Sequence, residues 1–388
     1  MSLVRPVQGR VVTEQWAARV VSPLHDVLAE QERRTLLADH PDSYLHVTSD
    51  PLVVPGATGD LSSDATKAAA LRRLLDQGAY RCLTEPGYFV YRMRAGAEQH
   101  TGVVASVDLT GYADGSVLGH ERVQEARVEG LVRHYEHVPL RSELVTLFHR
   151  SDPTVSELVA RVVSTRPLLE FTDVTGIDQS VWQAGPDEAA TLGERLDHHR
   201  HYVADGHHRL AAALRGWERD GRPAGRSVLC ALYAEDQVVL HAFHRRVRGP
   251  LGVELLDAIG AAFDVRPATG PSATSGSIGM YAENRWHLLT PRERSRLVGV
   301  AGVDVTMLDE RILRPLLGIR ADDPRLEFVP ETRDLGPTIQ ACDEDGGVLF
   351  TLCAPSIDDL VSVAERGEVM SAKTTYVEPK PRTGIFLQ

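Results

Sequence analysis

The sequence predicts a mixed α/β fold, and three observations carry the prediction. Strand-like and amphipathic helical runs alternate along most of the chain. The run Gly102 to Leu109 is apolar nearly throughout, as expected of a strand covered on both faces inside a sheet. The stretch His201-Tyr202-Val203-Ala204-Asp205-Gly206-His207-His208-Arg209-Leu210 passes from strand to glycine turn to an alanine-rich helix.

In chain order, Val20 to Val27 reads as an apolar strand interrupted by Pro23, and Ala29 to Ala38 as a helix. Tyr44 to Thr48 reads as a strand, and Asp50 to Ser63 as a loop rich in Pro, Gly, Ser and Asp. Asp64 to Gln77 is a helix with Ala68, Leu71, Leu74 and Leu75 on one face and Gly78 at its end. Tyr88 to Met93 alternates as a strand, and Val123 to Glu136 is a charge-rich helix. Val155 to Ser164 and Pro186 to Leu196 are helices; Pro167 to Asp173 and Gln179 to Gln183 are strands. Ser227 to Tyr233 and Val238 to Val247 read as a hairpin pair. Pro250 to Phe263 is a helix, and Pro267 to Gly276 a linker. Beyond it come a hairpin, Ile278 to Leu289, turning at Glu283-Asn284, and a helix, Val305 to Leu317. A strand, Leu349 to Cys353, and a helix, Ile357 to Arg366, complete the series. The expected division is a core over 1–250 and a C-terminal α+β lobe over 251–388.

Composition narrows the function. The 388 residues are 43% hydrophobic and 25% charged, an ordinary globular balance. A net charge of -12 argues against a nucleic-acid-binding surface. No apolar run approaches membrane-spanning length, and the N-terminus carries no apolar signal segment. The four cysteines are far apart and form neither a disulfide framework nor a metal pair, which fits a reduced, cytoplasmic setting. His198 to His201 matches no common zinc spacing.

The chemistry concentrates at Asp205 to Arg209. A strand ending in a glycine turn points the free N–H groups of the next helix, and the positive end of its dipole, at one spot. Asp205 is placed to cap the helix, and His207, His208 and Arg209 add polar and cationic side chains. A phosphate or another oxyanion is the expected occupant. Elsewhere His120 and Glu121 open a helix, where a carboxylate beside an imidazole suits a general base or a metal. Arg245 and Arg246 lie on opposite faces of a strand, so one of them is free to face an anion. Lys373 sits in a loop beside hydroxyl residues.

Ala204-Asp205-Gly206-His207-His208-Arg209 resembles the signature of the family known as domain of unknown function 1015, and more distantly the ParB/sulfiredoxin superfamily, to which free-serine kinases belong. Further matches support it. Asp26-Val27, preceded by His25 where the family has tyrosine, resembles its N-terminal Pro-Pro-Tyr-Asp-Val element. His120-Glu121-Arg122 resembles its His-Glu element, with Val123 in place of the usual threonine. Met370 to Lys380 resembles its C-terminal segment, with Ser371-Ala372 replacing Pro-Pro and Lys373, Thr375, Tyr376, Pro379 and Lys380 retained. The resemblance implies a ParB/sulfiredoxin-like core. It implies a nucleotide, ATP or ADP, on Gly206, His207, His208, Arg209, Arg245 and Lys373. Mg²⁺ would be helped by Asp26 or Glu121, and the substrate held by His25, Asp26 and Thr375. Glu121 is the expected base, with His120 and Asp205 as further catalytic residues. The implied activity is phosphoryl transfer to the hydroxyl of a free amino acid such as serine or threonine. A ParB-like nucleotide switch and a hydrolase using the same pocket are the alternatives, and the oligomeric state, a homodimer included, stays open.

Overall fold

The computed structural model describes residues 2–49, 63–250, 255–271, 274–293, 299–371 and 373–388. The expected Asp50 to Ser63 loop falls almost wholly outside them. The fold is mixed α/β, as expected. It divides into two compact units. The first comprises Met1–Leu118, Val123–Val238 and Pro379–Gln388; the second, Gly119–Arg122 and Val239–Glu378. The break therefore falls earlier than residue 250, and Pro379–Gln388 belongs to the first unit. No described helix is long and apolar enough to cross a membrane.

The first unit is built on a nine-stranded sheet. Its order is Val117–Leu118, His201–Asp205, Val145–His149, Ser227–Ala234, Glu98–Asp108, Phe89–Ala95, Asp178–Gln183 and Leu169–Thr172, with Val4–Arg5 also pairing with Glu98–Asp108. The strand from Glu98 to Asp108 is interior, and its residues from Gly102 onward are buried. On one face Val103, Ala105, Val107, Val145, Leu147, Val203 and Leu232 pack against three helices. Those helices, Pro153–Val163, Pro186–His198 and His207–Arg219, contribute Leu158, Val162, Leu192, Leu196, Leu210 and Trp217. Each such side chain contributes about 1.5–3 kcal/mol on burial. Asp152 starts the first of the three by accepting the Thr154 N–H at 2.9 Å ahead of Pro153. Aromatic pairs line the other face: Phe148 stacks on Tyr202 at 5.1 Å, and Phe89 meets Phe386 at 5.0 Å.

Several local expectations fail for identifiable reasons. Val20 ends a helix, Glu14–Val20, instead of starting a strand; Ser22 makes a single bridge with Thr383, and His25–Val27 is a 3-10 turn. Leu45–Thr48 is one helical turn, although Val47 and Thr48 favour strands, because a four-residue segment is ruled by its tertiary contacts. Ser227–Ala234 does not pair with Val239–Val247. It lies between Val145–His149 and Glu98–Asp108, while Val239–Val247 enters the second unit. The helix expected from Pro250 shortens to Leu255–Gly260 in the described residues, and Phe263–Ala268 continues as a strand. The helix from Asp304 passes into a π-helical turn at Asp309–Leu313.

The second unit has a seven-stranded sheet ordered Phe263–Ala268, Arg285–Pro291, Ile278–Ala282, Val348–Thr351, Val239–Val247 and Leu326–Pro330, with Thr375–Glu378 also on Val239–Val247. The expected hairpin turn is present: Glu283 and Asn284 both have positive φ, 51° and 62°, which suits a two-residue connection.

Candidate functional site

The site in the first unit grows from the end of His201–Asp205. This strand is buried on both faces as far as Ala204. Its register against Val145–His149 slips between Val203 and Asp205, a bulge that re-aims Asp205 just before the turn. Gly206 then takes φ 101° as the N-cap of the helix His207–Arg219. A Cβ here would lie 3.1 Å from the Arg209 guanidinium, which folds back over the turn. Glycine is thus required twice, by backbone and by neighbour.

Asp205 does not cap the helix, contrary to expectation. Its carboxylate is committed to two cations: Oδ1 accepts from Lys380 Nζ, and Oδ2 from Arg209 Nη2. Burial alone would raise this carboxyl, but Lys380 and Arg209 overcome it and hold it well below the usual carboxylate range. Arg209 also donates through Nη1 to the Leu144 carbonyl. The His208 Nε2 accepts the Gln124 N–H at 3.0 Å, so that nitrogen pins the neighbouring helix Glu125–His137 and has no proton to give an anion. His207 is buried at the helix start.

A ring of titratable groups surrounds the turn. Asp26 and Glu143 both act on the charge of Arg209. Burial lowers His25, with Asp26 and Glu143 opposing, and Arg209 and Lys67 adding to the fall. Burial likewise lowers His134, with Glu143 and Asp64 opposing and Lys67 reinforcing. Both imidazoles are therefore neutral at pH 7. The Lys67 ammonium lies 3.8 Å from Asp64. Glu143, Lys67, Lys380 and Arg141 were not among the expected site residues. Lys380 stands in the C-terminal segment that resembled the family, a usable signal; Lys67 and Glu143 carry no local signal.

The remaining expected residues meet in the second unit. His120 and Glu121 run beside Met370: the Met370 N–H donates to the His120 carbonyl at 2.7 Å, and Glu121 bridges Met370 in parallel. Arg245 is 1% exposed and spans the same loop, donating to the Phe243 carbonyl at 2.7 Å and the Lys373 carbonyl at 2.9 Å. Burial pulls its guanidinium down to about 10, against the opposing charges of Asp309 and Glu121. Lys373 has φ 58°, and its ammonium lies 5.1 Å from the Phe243 ring centre. Thr375 starts the strand paired to Ala242. Arg246, on the opposite face as expected, binds Glu327 and Asp345. Asp26 and Glu121, the two expected metal ligands, thus fall in different units. Among the described residues no group of three or more His, Cys, Asp or Glu is placed to hold a metal ion.

The chain belongs to the family described as "Protein of unknown function (DUF1015)", which matches residues 4–310. No curated protein matches it. Among solved structures it is distantly similar to a free serine kinase in complex with AMP, with 14% identity, TM-score 0.40, and coverage of 73% of this chain and 91% of that one. It is similar at the same level to SbnI with a C-terminal truncation from Staphylococcus aureus, with 12% identity, TM-score 0.42, and coverage of 73% and 85%. A conserved hypothetical protein from Pyrococcus furiosus follows, with 15% identity, TM-score 0.37, and coverage of 71% and 90%.

The turn gives a direct test of its backbone. Gly206→Ala should destabilise the chain by about 1–3 kcal/mol, the range for a strained backbone position. Gly216→Ala, in the same helix with nothing within 4 Å of the added Cβ, should be neutral or stabilising. Urea unfolding of both variants reads the contrast, and equal effects would remove the special role of Gly206.

Proposed function

We propose that the protein is a nucleotide-dependent phosphotransferase acting on the hydroxyl of a small molecule, with a free amino acid such as serine or threonine as acceptor. The observation that carries the proposal is the Asp205-Gly206-His207 turn. A glycine in the left-handed region opens a thirteen-residue helix beside a buried arginine and a lysine. N–H groups at such a helix start hold phosphate oxygens, and the cations offset their charge. ATP or ADP is the donor. The acceptor oxygen bonds to the terminal phosphorus and the bond to the bridging oxygen breaks. The nucleotide leaves one phosphate shorter, and the hydroxyl proton passes to a carboxylate. Positioning and positive charge supply most of what such a transfer needs.

Asp205 is unsuited to take the proton, because the two cations on its carboxylate make it a weak base. Glu121 is the proposed acceptor, and Arg245 acts indirectly by fixing the Lys373 loop. Mg²⁺ commonly uses one or two carboxylates plus the phosphates themselves, and Asp26 fits that requirement in the first unit. It would neutralise phosphate charge.

Mass spectrometry after incubation with ATP or ADP and candidate amino acids should show a phosphorylated amino acid. Nucleotide bound without product would favour a nucleotide switch, and free phosphate alone a hydrolase. Glu121→Gln should bind nucleotide normally and lose turnover by at least about 10²-fold, the lower range for loss of a general base. Near-normal turnover in that variant would remove Glu121 from the mechanism.

A further inference from the structure

Next to the turn, the first unit contains a cavity of about 370 Å³ whose walls include Tyr135, Arg141, Glu143, Arg209, Arg226 and Ser227. This is within the size range of small-molecule sites, roughly 300–1,000 Å³. Its charged groups differ in one respect. Arg209 is paired with Asp205, and Arg226 with Asp220 at 3.2 Å. Arg141 has its guanidinium 4.0 Å over the Tyr135 ring and makes no ion pair or side-chain hydrogen bond with the described residues. Among the described residues the Glu143 carboxylate accepts from the Ser142 N–H alone, at 3.3 Å, and no cation lies within ion-pair distance.

The two are i and i+2, with Ser142 between them and turned elsewhere: its hydroxyl is buried and accepts the Gly384 N–H at 2.6 Å. The two flanking residues, Arg141 and Glu143, line the same cavity, whereas Ser142 does not. Reciprocal bonds between the Arg141 and Gln388 backbones, at 2.9 and 3.0 Å, hold the segment in place. One cation and one anion, both partly buried and not bonded to each other, therefore border one cavity. Unpaired charges are costly to desolvate, and a ligand carrying the complementary pair repays that cost.

We infer that this cavity binds an α-amino acid as its zwitterion. Arg141 receives the carboxylate, for which a guanidinium offers a planar two-pronged match, and Glu143 receives the ammonium. That the amino acid is the phosphoryl acceptor rests on the phosphotransferase reading; that the cavity binds it does not.

Calorimetry without nucleotide tests the inference. L-serine or L-threonine should bind at least tenfold tighter than ethanolamine, which lacks the carboxylate, or 3-hydroxypropionate, which lacks the amine. Arg141→Met should weaken serine at least tenfold and leave ethanolamine unchanged. Glu143→Gln should weaken serine and narrow its advantage over 3-hydroxypropionate. Circular dichroism checks the folding of both variants, and the analogue comparison needs only the unaltered protein. Analogues binding as tightly as serine, absence of serine binding, or binding indifferent to both substitutions would overturn the inference. Serine binding with these dependences but no phosphorylated product would sink the phosphotransferase reading and leave this one standing. Product formation with an unchanged KM in Arg141→Met would do the reverse.

Discussion

Asp205→Ala should cost the first unit about 3–5 kcal/mol, the usual penalty for leaving a buried charge without its partner. Here two charges are left. Lys380 and Arg209 both donate to this carboxylate, and their side chains are only 12% and 10% exposed. Arg209 keeps the Leu144 carbonyl as a partner, whereas both cations lose the same anion. Asp205→Asn preserves shape and should cost less. Adding Lys380→Met to Asp205→Asn should recover part of the loss, because it removes a cation that has lost this carboxylate. Urea unfolding of the unaltered protein, Asp205→Asn, Lys380→Met and the double variant closes the cycle. A loss below about 1 kcal/mol in Asp205→Ala would mean that solvent already screens the trio.

The second large effect is a loss of stability in acid centred on His201. Its ring is fully buried, Nε2 donates to the Leu196 carbonyl at 2.9 Å, and Nδ1 is buried without a described partner. His149 and His199 face it or each other, with ring centres 5.9 Å apart for His149–His201 and 4.8 Å for His149–His199. Asp152, bonded to Arg195 and to His199 at 2.9 Å, lies beyond them. Burial first, then His149 and, to a smaller extent, His199 push His201 down to about 3, with the Leu196 carbonyl and Asp197 opposing. The folded value is below the unfolded one near 6.5, so the unfolded chain binds the proton first. The contribution is fully present above pH 6.5 and is lost as pH falls toward 3, at about 1.4 kcal/mol per unit. Stability measured from pH 7 to 4 should fall faster than in His201→Gln, a neutral side chain of similar polarity. Parallel curves would show that His201 does not titrate in this window.

What was legible in the sequence was local. The strand, glycine turn and helix at His201 to Arg219 lie within one short stretch, and turn chemistry with periodicity fixes them. The interior strand before Asp108 was marked by its unbroken apolar run. The roles inside the turn were less legible. Asp205 looked like a cap because capping is a local rule, but Lys380, 175 residues away, claims its carboxylate. Glu143, Lys67 and His134 come from separate segments, and only the packed chain sets them in one another's fields. The failed hairpin at Ser227 to Val247 has a similar cause. Adjacent strands were expected to pair, but the chain leaves the first unit at Val238, and each strand finds partners remote in sequence.

The return of Pro379–Gln388 to the first unit has a consequence for synthesis. Lys380 reaches Asp205, Arg382 binds Asp173 at 2.6 Å, Gly384 donates to Ser142, and Phe386 packs on Phe89. A nascent chain carrying everything through Val238 has the nine strands of the large sheet but neither the lysine that balances Asp205 nor the arginine that balances Asp173. The intervening Val239–Glu378 must emerge before these pairs close. On a ribosome adding about 5–20 residues per second, the turn meanwhile has Arg209 on Asp205 but not yet Lys380. The second cation on Asp205 is in this way supplied only after the whole of Val239–Glu378 has been made.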